Sequence, residues 1–223
     1  MTAQRQISLR IDERAQGRVA TLAIDNQRRL NSMNSALMAE FVTTMAKLGE
    51  DEALRAIVLT GAGDKAFIGG ADIKEMGAIT SPEGGRAFIR RVHACCHAVR
   101  MCPVPVIARI NGFALGAGME MVAACDMRVA VDTALFGMPE VKLGIPSVVE
   151  AALLPQLIGW GRTKVLIYTG ENPPAELDDA AQHPHSVGDR QVVVDDDVVV
   201  FGHCLDPSRS RRCRRRRCAR TAS

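Results

Sequence analysis

The chain has 223 residues, 47% of them hydrophobic, with 28 Lys+Arg against 25 Asp+Glu and a formal net charge of +3. That is enough apolar material for the core of one large domain, or of one domain with an appendage, and the charge is too small to argue for any partner. The opening MTAQRQISLRIDER lacks the basic-then-apolar layout of a secretion signal, and the longest apolar region, Val104 to Cys125, is interrupted by Arg109, Asn111 and Glu120. Seven cysteines, an odd number without framework spacing, fit reduced thiols. A soluble, cytoplasmic protein is therefore expected.

In chain order, ISLRIDE and RVATLAID alternate apolar and polar residues and predict a hairpin around Ala15 to Gly17. Asn34 or Ser35 can cap a helix in which Leu37, Met38, Phe41, Met45 and Leu48 share one face. ALRAIVLTG is a continuous apolar strand of the kind buried on both sides of a sheet, and the loop AGDKAFIGGADIKEM follows it. A helix is predicted from about Pro82 to Met101, then a buried strand in VPVIARING, a short helix in GAGMEMVAACD and a third buried strand in MRVAVD. The pattern is α/β, with repeating strand, loop and helix units.

Beyond Glu171 the character changes. The segment holds Pro-Pro, an acidic triplet inside a valine run and an arginine block without lysine, and no helical periodicity is sustained. Arg209 to Arg220 reads as a solvated tail, as a nucleic-acid arm, or as the product of a lost reading frame. The last is favoured, because Arg, Cys, Pro, Ser and Ala without Lys is what a GC-rich gene yields out of frame. Residues 1–171 are thus expected to form the core domain and 172–223 an atypical tail, disordered or out of frame.

Several motifs are set aside. GAGDKA, Gly61 to Ala66, fits a dinucleotide pattern but continues as a glycine-rich loop instead of opening into a helix. GAGMEM opens into a helix but has Met121 where a third small residue belongs, and no Gly-Lys-Ser or Gly-Lys-Thr exists for a phosphate loop. His93, Cys95, Cys96 and His97 crowd one turn and a half, which cannot converge on one tetrahedral ion. Phe88, Val92, Cys95, Cys96 and Val99 instead make an apolar stripe, with the histidines on flanking surface, and no metal is expected.

Two loops of small residues remain, GGAD at 69–72 and GAGME at 116–120, each following a buried strand. Such loops let main-chain N–H groups face a ligand closely, and a helix N-terminus adds partial positive charge, so the pair can form an oxyanion hole. Glu120 then stands beside whatever carbonyl the hole holds. A second acid, Glu140, follows Pro139 among apolar neighbours. Two glutamates near an anion site can divide acid and base roles.

PVPVIARINGFALGAGMEMVAACDMRVAVDTALFGMPEVKLGIP resembles the signature of the enoyl-CoA hydratase/isomerase (crotonase) family, and AFIGGADIKEM is similar to its other hallmark loop; the resemblance runs from about residue 7 to Glu171. It implies a crotonase-like (ClpP/crotonase) fold of repeated ββα units. It implies that the backbone N–H groups of Ala71 and Ala117 hold a thioester oxygen, that Glu120 orients and deprotonates water, and that Glu140 exchanges the proton at Cα. Both glutamates being present favours a hydratase acting on a 2-trans-enoyl-CoA in fatty acid or related acyl-CoA degradation. No cofactor is implied beyond coenzyme A as part of the substrate, with Gly69, Gly70, Asp72, Ile73, Lys74 and Gly116 as candidate contacts; Lys74, and more loosely Arg28 and Arg29, can approach phosphate.

Two departures from the family pattern stand out. Where many hydratases carry a second glycine-rich run, this chain has IPSVVEAALLPQLIGWGR, with a third acid, Glu150, read as a helix-start residue capped by Ser147. After YTGE the family continues into helices that close the acyl pocket and build trimers, commonly paired as hexamers, whereas nothing similar follows here. An isomerase or thioester hydrolase on the same fold, and a non-catalytic product with a basic tail, are the alternatives; neither membrane nor nucleic acid is expected as a partner.

Overall fold

A computed structural model of the chain describes residues 7–171, 192–195 and 198–202. The alternating N-terminal segments form β1 (Ile7–Arg14) and β2 (Gly17–Ile24), an antiparallel pair whose register runs from Ile7 opposite Ile24 to Arg14 opposite Gly17. Beside β2 lie, all parallel, β3 (Leu54–Gly61), β5 (Val106–Ile110) and β7 (Met127–Val131). Two strands, β9 (Val192–Asp195) and β10 (Val198–Gly202), continue this sheet antiparallel on β7, giving the order β1-β2-β3-β5-β7-β10-β9. The remaining expectations for 172–223 lie outside the described residues.

Helix α1 (Ser35–Gly49) starts where Asn34 accepts the Leu37 N–H at 2.8 Å, and α3 (Pro82–Arg100) starts where Ser81 accepts the Gly84 N–H at 3.1 Å. The predicted stripes of both helices are buried, including Cys95 and Cys96, against Leu22, Ile57, Leu59 and Ala108 of the sheet. His93 and His97 stay exposed, and the Cys95 thiol points at the Met38 carbonyl, 3.6 Å away. The expectation that β3 is buried on both sides is corrected. The helices cover one face, and Ala56, Val58, Ile107 and Val129 on the other are half-buried.

A second, small sheet was not expected. Within the segment read as loop lies β4 (Ala66–Ile68), which pairs parallel with β6 (Phe113–Leu115), itself parallel to β8 (Phe136–Gly137). Strands this short carry no measurable periodicity. A short helix, α2 (Ile73–Gly77), follows β4, and α4 (Ala117–Ala124) follows β6. Every residue of α4 is buried, so it has no polar face to announce it. Its last carbonyls are met by buried Arg128, whose Nε donates to Val122 O at 3.0 Å and Nη2 to Ala123 O at 2.9 Å and Cys125 O at 2.7 Å.

Past β8, two short helical turns, Pro139–Leu143 and Glu150–Leu153, lead into α5 (Leu154–Thr169). Met119, Ala123, Met138, Leu154 and Leu166 form a second apolar cluster there, while Trp160 and Tyr168 remain exposed on α5. Among the described residues no helix is long and apolar enough to cross a membrane.

Close approach of α4 to β4 seats the helix on the small sheet. A Cβ on Gly118 would stand 1.9 Å from the carbonyl oxygen of Ile68, so only glycine fits without moving backbone. Gly118→Ala is expected to lower the unfolding free energy by about 1–3 kcal/mol, the usual range for overpacking. Gly85→Ala in α3, with open space around the added methyl, is expected to raise it by roughly 0.5–1 kcal/mol through helix propensity. Urea titration of both variants checks the pair of signs.

Candidate active site

All three strands of the small sheet run parallel, so their carboxyl ends deliver three loops to one place, the general situation in which parallel strands build sites. The loop after β4 brings Gly69, Gly70 and Ala71; the turn after β6 brings Gly116 and Ala117; the turn after β8 brings Pro139 and Glu140. These residues, with Ile73 and Glu120, line one cavity of about 90 Å³ whose apolar wall includes Phe88, Ile89 and Val92 of α3.

The first loop is held as a β-like edge. Met33 N–H donates to Gly70 O and Asp72 N–H to Met33 O, both at 2.9 Å, while Gly69 N–H donates to Leu30 O at 2.8 Å. Those bonds flank Ala71, whose own amide is turned away from Met33. Asn31, buried and at φ 56°, ties the neighbouring chain through its side-chain amide to Ala62 O at 3.0 Å and Ala66 O at 2.7 Å. Asparagine tolerates that left-handed conformation better than most residues.

Gly116 is required twice over. Its φ of 53° and ψ of −121° form a sharp turn into α4, and a Cβ there would lie 2.8 Å from Oε1 of Glu140. The missing side chain therefore makes room for that carboxylate. Ala117 is the first residue of α4, so its amide has no acceptor within the helix. Ala71 and Ala117 both line the cavity.

Glu120, 3% exposed, is buried in the first turn of α4, and its Oε1 accepts the N–H groups of Val149 at 3.1 Å and Ala151 at 3.2 Å. Burial, with Glu140 nearby, pushes its pKa up to about 7 although the two amides pull it down. Glu140 is half-buried, and burial raises its pKa too, opposed by its own amide and by Ser147, whose hydroxyl donates to Oε2 at 3.1 Å. Two carboxyl groups of raised proton affinity on one cavity wall can shuttle protons next to a carbonyl.

Not every expected residue reaches the cavity. The Asp72 carboxylate is turned to the start of α2, where Oδ1 accepts Lys74 N–H at 2.9 Å and Glu75 N–H at 3.2 Å, and it pairs with Arg29. Burial alone would raise its pKa, but the amides and the guanidinium hold it below the usual range. It is a helix cap and not part of the cavity lining. Lys74 is exposed outside the cavity, and Arg28 stands exposed in the turn Gln27–Arg29. Ser147 does not cap a helix at Glu150, since its hydroxyl is given to Glu140 and Val149 occupies that capping position. Glu150 does begin a helical turn, but its buried side chain faces α3 instead of water. The amides of Val149 and Ala151 carry no sequence signal, because any non-proline residue supplies an N–H.

Raised proton affinity has a thermodynamic consequence. A carboxyl at about 7 in the folded chain and 4.5 when free contributes stability that is complete below 4.5 and lost as pH rises through 7. Glu120→Gln removes that dependence while keeping an acceptor for both amides. Thermal melts are expected to show the variant more stable than the parent at pH 8, by up to about 3 kcal/mol at 1.36 kcal/mol per unit, and equal to it near pH 4.5.

A sequence model of the enoyl-CoA hydratase/isomerase family matches residues 14–199, so the match extends beyond Glu171. The chain is 40% identical over 162 residues to a short-chain-enoyl-CoA hydratase of Clostridium acetobutylicum, covering 72% of this chain and 62% of that relative. It is 37% identical over 155 residues to a crotonyl-CoA hydratase of Syntrophomonas wolfei, covering 69% and 59%. The fold superimposes on the crystal structure of an enoyl-CoA hydratase from Bacillus anthracis with a TM-score of 0.71 and 38% identity, covering 77% of this chain and 65% of that one. The chain therefore spans less than two thirds of these relatives' lengths. Model, relatives and superposition agree that the protein has a crotonase-like α/β fold and belongs to the enoyl-CoA hydratase/isomerase family.

Proposed function

We propose that the protein is an enoyl-CoA hydratase that adds water across the double bond of a short 2-trans-enoyl-CoA. The observation that carries the reading is that Glu120 and Glu140 line the same cavity as Ala71 and Ala117. In this reading the thioester oxygen accepts both N–H groups. As water attacks Cβ, Glu120 takes its proton, negative charge develops on the thioester oxygen, and Glu140 delivers a proton to Cα. Donors aimed at charge absent from the ground state lower the barrier instead of only tightening binding.

The substrate's coenzyme A moiety is the only cofactor-like group required. Gly69, Gly70 and Ile73 are its proposed contacts on the first loop and Lys74 a phosphate contact from the exposed start of α2. The names of the two relatives point to a short acyl group. We extend the proposal to a cytoplasmic homotrimer or hexamer. Among the described residues, the buried thiols of Cys95, Cys96 and Cys125 lie outside any disulfide and agree with a reducing compartment, and exposed Trp160, Val165 and Tyr168 offer apolar surface for association.

The test is crotonyl-CoA hydration, followed by loss of the enoyl-thioester absorbance. Glu140→Gln and Glu120→Gln are each expected to reduce kcat by about 10²–10⁴, the range for removal of a general acid or base. Full activity in Glu140→Gln overturns the reading. Double-bond isomerisation that survives Glu120→Gln moves it to an isomerase, for which Glu140 suffices. Because Glu120 acts as a base, kcat/KM is expected to rise with pH through about 7; a profile flat from pH 6 to 8 contradicts that role.

A further inference from the structure

The turn that holds Glu120 is itself held from the opposite side. Val149 and Ala151 give their amides to Glu120, and between them Glu150 sends its carboxylate to α3. There Oε1 lies 3.2 Å from His93 Nδ1 and 3.7 Å from Arg100 Nη1. The Glu150 side chain is 7% exposed, whereas those of His93 and Arg100 are 55% and 47% exposed. Among the described residues Oε1 has no well-aligned hydrogen bond, so its burial depends on the charge and polarity of these two neighbours. His93 and Arg100 lie seven residues apart, two turns of the same helix, and so grip the carboxylate from one face. Glu150 itself is absent from the cavity wall.

We propose that Glu150 and His93 are positioning residues: their contact anchors the Val149–Ala151 turn to α3 and thereby fixes the two amides that orient the Glu120 carboxylate. Glycine-rich loops hold their backbone through tight local turns; here a side chain reaches out to a helix for the same purpose. Peptide groups 149 and 151 point to α4 while side chain 150 points to α3, so the turn is clamped between two helices. Loss of the clamp frees Val149, one residue of the cavity wall, but not the loops that carry Ala71 and Ala117. Its effect therefore falls first on proton transfer by Glu120.

This inference rests on the hydratase reading, and its test separates the two. Crotonyl-CoA kinetics and amide hydrogen exchange of the 147–153 segment are measured on the full chain and on Glu150→Gln, His93→Ala, His93→Asn and His97→Ala. Glu150→Gln and His93→Ala are expected to lower kcat at least tenfold, about 1.4 kcal/mol, with KM within twofold. Exchange of the segment is expected to quicken at least tenfold. His93→Asn, whose amide replaces Nδ1, is expected to restore most of both, and His97→Ala, the exposed neighbour one turn on, to change neither. Unchanged kcat and unchanged exchange in Glu150→Gln and His93→Ala overturn the proposal, as does a rise in KM at constant kcat. If the parent chain does not hydrate crotonyl-CoA, the functional reading fails, and exchange alone decides the clamp: faster exchange in Glu150→Gln supports it and equal exchange overturns it.

Discussion

A glutamate buried in the wall of an apolar helix is the constraint around which the rest of this structure is arranged. Isolated carboxylates are expensive to remove from water, and Glu120 sits at 3% exposure in a helix with no exposed residue. Its compensation comes from two backbone amides roughly thirty positions further along the chain. For those amides to arrive, the segment after β8 must fold back over α4. That return carries Glu140 and Ser147 to the cavity and Glu150 to α3. Satisfying one acid thus assembles the second acid and the loop that holds both.

The small sheet makes this geometry possible. Three parallel strands of only two or three residues place three loops side by side, and the contact of Gly118 with the Ile68 carbonyl sets α4 directly on β4. The large sheet and its two covering helices contribute the rigid support, with α3 also supplying the apolar wall of the cavity. Function and packing meet in α3. Phe88 and Val92 face the cavity and the core, Cys95 and Cys96 fill the interior, and His93 lies beside the buried Glu150 carboxylate on the outer side.

Polarity in the site is uneven by design of the backbone. Glu120 is pushed toward neutrality by burial while its amides oppose the shift, and Glu140 is pushed the same way more gently, with a serine hydroxyl opposing. Both carboxyl groups therefore hold their protons more tightly than a solvated glutamate does. The stability that Glu120 forgoes at alkaline pH is the thermodynamic counterpart of that tighter hold.

From the residues alone came the α/β class, the hairpin, the capped helices with their buried stripes and the pairing of Glu120 with Glu140 across two glycine-rich loops. These are local properties, written in periodicity, in caps and in the small residues that a close backbone approach demands. Tertiary structure decided what depends on distance between remote segments. It showed that Asp72 is a cap paired with Arg29 and not part of the cavity lining, that Ser147 serves Glu140 and not a helix end, and that Glu150 lies buried beside His93. It alone showed the small sheet, whose strands are too short for a pattern, and the amides of Val149 and Ala151. Hydrogen bonds made by the main chain are the same chemistry at every residue, so only the fold can say which of them matter.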